Sequence, residues 1–251
     1  MQGRTRVSET SVFLLLTLVA SVIATVLIVG SRSVARVQWM ARAFYAISIA
    51  LSVATLLLIV AGVSGVVAEN ALYARLLRPL LFRGWIVIGV AISCALLVFL
   101  NSARGHGRLA SDAVRSFVTS PYVMKGLCFS VSLSFFCTEI GKFAHDADMR
   151  QFFLQSGYAV WFMYFIMAAE TAGAIGLFVS RTIVPAAIGL MIVMLGAIRT
   201  HAHNGDPFSD SLEAFHLLIL LACIVALRLL AGRSGDRDLV STKTLEAVKE
   251  K

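Results

Sequence analysis

The chain has 251 residues, 59% of them hydrophobic and 14% charged, with a mean hydropathy of +0.85. Those values lie far outside soluble globular usage and point to a polytopic membrane protein with short loops and no room for a separate soluble domain. The net charge of +8 does not argue for nucleic acid, because the basic residues gather at the ends of apolar runs, where they act as topology signals and lipid-headgroup contacts.

The pattern predicts an all-α fold: a polytopic membrane helical bundle of about seven transmembrane helices, split three and four. Residues 1–10 are a polar tail. A first span over 11–30 is too long, and lacks a small-x-small cleavage site, for a removed signal peptide, so it is expected to stay as an anchor. A second span covers 43–68. Residues 69–83, with Arg75, Arg78, Arg83 and a break at Pro79, read as an interfacial segment. A third span covers 84–101 and opens at Trp85, a residue suited to headgroup level. These form a three-span front part, 1–105. The polar stretch 106–121 is a cytoplasmic connector, and 122–231 holds a four-span rear bundle with spans at 122–142, 157–179, 183–200 and 212–231. Pro185 fits the first turn of the sixth span. A polar cytoplasmic tail, 232–251, closes the chain.

Positive charge sets the orientation. Arg32, Arg36, Arg42, Arg104, Arg108, Arg115, Lys125, Arg181 and the tail fall on one side, and fewer basic residues, Lys142 and Arg150 among them, on the other. The N-terminus is therefore expected outside and the C-terminus in the cytoplasm, in a membrane of the bacterial cytoplasmic (inner) type. The four cysteines, Cys94, Cys128, Cys137 and Cys223, lie inside apolar runs with no CxxC and read as packing residues.

The chemistry concentrates in the rear part. Glu170 sits in the middle of the fifth span, about 12 residues or roughly 18 Å from its outer end. A carboxylate at that depth costs several kcal/mol unless paired or protonated, so it marks a site or a hydrogen-bonded helix contact. Span four carries a polar stripe, Ser130, Ser132, Ser134, Thr138, Glu139 and Lys142, which belongs inside a bundle. Glu139 and Lys142, at i, i+3, make either a site pair or an interfacial ion pair. His201 and His203 lie where span six emerges. Glu213 and His216 share one helical face as an E-x-x-H pair at the start of span seven. His201, His203, Glu213 and His216 are thus possible ligands for a transition metal, zinc, iron or copper. The simpler alternatives are an acid favoured by the helix dipole with Ser211 as N-cap, a histidine bonded to a carbonyl, and a polar HNGDP turn.

These same residues carry a resemblance. Span four from Glu139 to Phe143, the segment Met149 to Phe153, Gly157-Tyr158 with Trp161 and Tyr164, the run ETAGAIGL from Glu170, the run MLGAIRTH from Met194 to His201, and the turn from His203 to Pro207 together resemble the DoxX-like family of four-helix membrane proteins over residues 126–230. Residues 1–120 show no such likeness. The resemblance implies a four-helix bundle with both ends in the cytoplasm and an association with redox chemistry, one relative being a membrane subunit of a thiosulfate:quinone oxidoreductase. It carries Glu170, Lys142, His201 and His203 over as functional positions. The expected site is therefore Glu170, Glu139 and Lys142 for proton chemistry, and Glu170 with Tyr164, Trp161 and Met194 for a cofactor such as quinone.

Two classes of function follow. In a redox-associated protein, Glu170 and a nearby histidine handle protons that accompany electrons on a quinone or metal. No CxxCH, no GxGxxG after a strand and no cysteine cluster is present, so covalent haem, nucleotide and iron–sulfur signatures are missing. In a non-enzymatic accessory or assembly subunit, or a small-molecule binder resembling a transporter, residues 1–105 would dock partner membrane subunits. A retinal protein is excluded by the lack of a lysine in the last span.

Overall fold

A computed structural model describes residues 34–63, 116–117 and 119–249. The expected first and third spans, the 69–83 segment and most of the 106–121 connector lie outside those residues. The described residues are helical and contain no strand. The helices are α1 (Val34–Val63), α2 (Pro121–Ala144), α3 (Asp146–Gln155), α4 (Val160–Gly176), α5 (Ile183–Asn204) and α6 (Phe208–Lys249).

Among the described residues, four stretches are long and apolar enough to cross a bilayer: Ala35–Ala54, Pro121–Ala144, Ile183–Asn204 and Asp210–Leu229. A fifth span arises if α3 and α4, bent by 115° at their junction, count as one broken crossing. The observed α1 begins nine residues earlier than the expected second span, because Arg36 and Arg42 are helical and carry it through the basic loop. The expected span at 157–179 narrows to α4, 160–176. The loop expected before it is instead the helix α3.

Local sequence explains the boundaries. Ser120 is extended ahead of Pro121, which takes the first helical position. Helix α3 stops because Gly157 adopts φ +81, and the Tyr158 N–H returns to the Phe153 carbonyl at 2.9 Å, the left-handed glycine cap of a helix end. Helix α5 ends the same way, with Gly205 at φ +73 and the Asp206 N–H on the His201 carbonyl at 3.0 Å. Pro185 lies in the first turn of α5 as expected. The last helix starts at Phe208, so Ser211 lies within it and is no N-cap. It also runs unbroken to Lys249, past the expected end of the membrane span.

The rear bundle is a ring: α2 packs on α4, α4 on α5, α5 on α6 and α6 on α2. Each helix turns one stripe inward. On α4 the stripe is Met163, Met167, Glu170 and Ala174, and on α5 it is Ile183, Ala187, Leu190 and Met194, both at the alternating four- and three-residue spacing of helices packed near-parallel. Lipid supplies no hydrophobic drive between such helices, so close approach of small residues has to hold them. A Cβ at Gly173 would lie 2.6 Å from the Leu190 side chain, and one at Gly176 would lie 2.8 Å from the Ala186 Cβ.

Helix α1 lies on the outer side of α2. Gln38 Nε2 donates to Ser116 Oγ at 3.0 Å, the Arg42 guanidinium stands 5.6 Å over the Tyr122 ring, and Phe44 and Ser48 fill the space above Gly126. These pairs advance together along both helices, so α1 and α2 are parallel, the relation expected of a second and a fourth span. Cys128 and Cys137 lie nine residues apart, on opposite faces of α2. Both are buried thiols, because α2 is covered by α1, α4 and α6.

Candidate functional site

Helix α2 positions the site. Its hydroxyls bond back along the helix: Ser130 to the Gly126 carbonyl at 2.6 Å, Ser134 to Ser130 at 3.0 Å and Thr138 to Ser134 at 2.9 Å. The polar stripe is thereby satisfied without water. Ser132 reaches across instead and donates to the Ala174 carbonyl of α4 at 2.9 Å. Phe129 meets Phe178 edge-on at 6.0 Å. Both contacts fix an antiparallel register between α2 and α4. Advancing seven residues from each partner of the Ser132–Ala174 bond puts Glu139 level with Met167, and Glu170 about one turn deeper.

Lys142 closes the gap. Helical side chains lean toward the N-terminus of their helix, so Lys142 points back down α2 toward Glu170. Its Nζ donates to Glu139 Oε1 at 2.7 Å and to Glu170 Oε2. Glu139 and Glu170 are each 4% exposed, and the Lys142 ammonium joins their carboxyls across the two helices. Two carboxylates and one ammonium leave the cluster one negative charge in excess, and that charge lies inside a membrane bundle. The second oxygen of Glu139, Oε2, is buried and has no partner. A buried acceptor with no donor is costly, and a carboxylate in that position costs more than a neutral group. One proton bound to the pair removes both the orphan acceptor and the excess charge.

Glu213 joins from α6. The Thr138 hydroxyl lies 3.2 Å from its Oε1, and Lys142 and Glu170 are within electrostatic reach of it. The residue itself is exposed. The proton-chemistry residues expected from sequence, Glu139, Lys142 and Glu170, are thus brought together, and Glu213 is brought to them. Lys142 is a bridge inside the bundle rather than a loop charge.

The other expected residues are placed elsewhere. Trp161 stands nine residues, or half a turn in angle, from Glu170, and it is 68% exposed on the outer face of α4. Tyr164 faces α3: its hydroxyl accepts from Arg150 Nη2 at 2.6 Å and donates to Asp146 Oδ1 at 2.8 Å. Met194 is buried in the core cluster on α5. The two methionines that share the Glu170 stripe are Met163 and Met167, both buried, and reading α4 on a seven-residue repeat would have selected them over Trp161 and Tyr164.

The histidines do not converge. His201 Nδ1 pairs with Asp206 Oδ2 at 2.8 Å within its own helix cap, and its ring lies 5.5 Å from that of Phe152. His203 is exposed. His216 turns Nδ1 to the Leu212 carbonyl at 2.6 Å. Among the described residues, no group of three or more His, Cys, Asp or Glu side chains stands in an arrangement that could hold a metal ion.

Helix α3 covers this end of the bundle. The Asp146–Arg150–Tyr164 triangle ties it to α4, with Arg150 Nε 2.7 Å from Asp146 Oδ2. Asn204 Nδ2 donates to Ser156 Oγ at 2.8 Å, and Tyr158 and Thr200 hydroxyls lie 3.1 Å apart, so α5 holds its far end.

Comparison with known proteins agrees with this geometry in one respect. Residues 127–226 match the DoxX-like family, a range that takes in α2 from Leu127 onward, α3 to α5 and most of the membrane-spanning part of α6. No curated protein and no solved structure matches the chain.

Proposed function

We propose, from a rear bundle that matches the DoxX-like family, that this integral membrane protein handles protons for redox chemistry in the bilayer, with the Glu139–Lys142–Glu170 cluster as the place where one proton is held and released. The observation that carries the reading is Lys142 bridging two buried carboxyls from different helices while Glu139 Oε2 lacks a partner. Quinone reduction takes up protons with electrons, and a carboxyl pair that changes by one proton inside an apolar bundle suits that demand. Quinone is the class of redox partner favoured by the family's association. Met163 and Met167, polarizable and unbranched, border Glu170 on the buried stripe and suit an adaptable apolar wall. The orientation follows the basic residues, with the α3 end outside and the C-terminus in the cytoplasm of an inner-membrane-type bilayer.

The test uses the full-length protein in lipid nanodiscs with a short-chain ubiquinone. Reducing the quinone is expected to change the carboxyl C=O stretch in the infrared difference spectrum of the parent protein. Glu170→Gln is expected to remove that change while keeping the fold. A parent spectrum with no carboxyl change on quinone reduction contradicts the redox assignment. A second reading, an accessory subunit, draws on the seating of α1 against α2 at Gly126. It predicts that Glu170→Gln leaves function intact and that detaching α1 abolishes it.

A further inference from the structure

Resting on that reading of the buried pair, we propose that Glu213 is the carboxyl through which Glu139 and Glu170 exchange their proton with the α3 end of the bundle. The pair is closed off, each member being 4% exposed, so a proton needs a relay to reach it. Glu213 is exposed on the bundle surface and lies in the second turn of α6, near the start of the candidate span Asp210–Leu229. Its Oε1 lies 3.2 Å from the Thr138 hydroxyl of α2, whose shorter bond, 2.9 Å, is to the Ser134 carbonyl; Thr138 stands one residue before Glu139 and four before Lys142.

Lys142 is the intermediary. It hydrogen-bonds both members of the pair, and Glu213 lies within its electrostatic reach. The remaining titratable groups nearby are engaged in other directions. His216, on the same helix as Glu213, presents Nδ1 to the Leu212 carbonyl. His145 lies 3.0 Å from the Gly141 carbonyl, and His201 is paired with Asp206. The transfer balances: the Lys142 ammonium passes one N–H proton to Glu170 Oε2, the resulting amine takes a proton from the protonated Glu213 carboxyl, and Glu213 is reprotonated from the aqueous side. The net result is one proton moved from outside to the pair, with Lys142 unchanged.

The experiment is infrared spectroscopy of the full-length protein in lipid vesicles as H2O is replaced by D2O. The readout is the rate at which the protonated-carboxyl band of the pair, assigned by its loss in Glu139→Gln and Glu170→Gln, shifts on deuteration. The shift is expected to be at least about tenfold slower in Glu213→Gln and close to the parent rate in Glu213→Asp. Thr138→Val keeps every charge and is expected to slow exchange as well. A Glu213→Gln protein that exchanges as fast as the parent overturns the proposal while leaving the proton on the pair. If Glu213→Gln does not fold, unchanged exchange in Thr138→Val overturns it. If the parent has no protonated-carboxyl band, the reading of the pair falls, and this proposal with it.

Discussion

At the residue scale, the buried cluster sets an asymmetry among its members. Removing the lysine leaves two carboxyls facing each other without a counter-charge, whereas removing one carboxylate charge leaves a neutral Glu–Lys pair. Breaking a buried ion pair by deleting one partner costs about 3–5 kcal/mol. Lys142→Met is therefore expected to lose stability on that order in detergent thermal unfolding, and Glu170→Gln much less. Equal losses in the two variants would contradict the charge accounting. Glu170 was legible in the sequence as an intramembrane carboxylate, since a charge inside an apolar run needs a reason. Its bond to Lys142 was not, because the two are 28 residues apart and meet only through the α2–α4 register that Ser132 and Ala174 fix.

At the element scale, small residues and caps decide the packing. Gly173 lies against Leu190, where a Cβ would be 2.6 Å from its side chain, while Gly196 has nothing within 4 Å. Overpacking of this kind costs about 1–3 kcal/mol. Gly173→Ala is thus expected to lower the unfolding temperature and Gly196→Ala to leave it unchanged. Matching behaviour of the two variants would show that α4 and α5 do not meet as described. Helix α3 is held by few contacts, chiefly the Tyr164 hydroxyl and the Asn204 amide. Tyr164→Phe combined with Asn204→Ala is expected to raise amide hydrogen exchange across 146–155 while α4 and α5 keep their protection. No change in α3 would mean that its aromatic contacts alone hold it. The helical nature of the rear spans could be read from apolar run length. The break at Gly157 was hidden, because a helix lying at the end of a bundle and a polar loop have the same composition. The seven-residue stripe on α4 was present in the sequence, but the family motif drew attention to Trp161 and Tyr164, which lie off it.

At the scale of the whole molecule, the ring of α2, α4, α5 and α6 with α1 parallel on the outside of α2 is a multi-pass membrane architecture, and the orientation proposed for it rests on the charge bias. Single cysteines at Asp148, in α3 before α4, and at Arg181, in the turn after α4, are expected to react with a membrane-impermeant maleimide from opposite sides of intact cells or spheroplasts, with Asp148 on the outside. Reaction of both from one side would contradict the crossing, and the reverse pattern would invert the orientation. The rear bundle was legible as a unit because its loops are short and its motifs fall in order. The front part was legible only as apolar runs, since it offers no charged residue within a span to anchor a chemical argument. The account as a whole turns on whether the Glu139–Glu170 pair carries a proton. The direct measurement is the infrared spectrum of the full-length protein at neutral pH beside those of Glu139→Gln and Glu170→Gln. A protonated-carboxyl band in the parent that both variants lose is the predicted result. A parent spectrum with carboxylates alone would contradict it, leaving the cluster as a salt bridge that joins two helices.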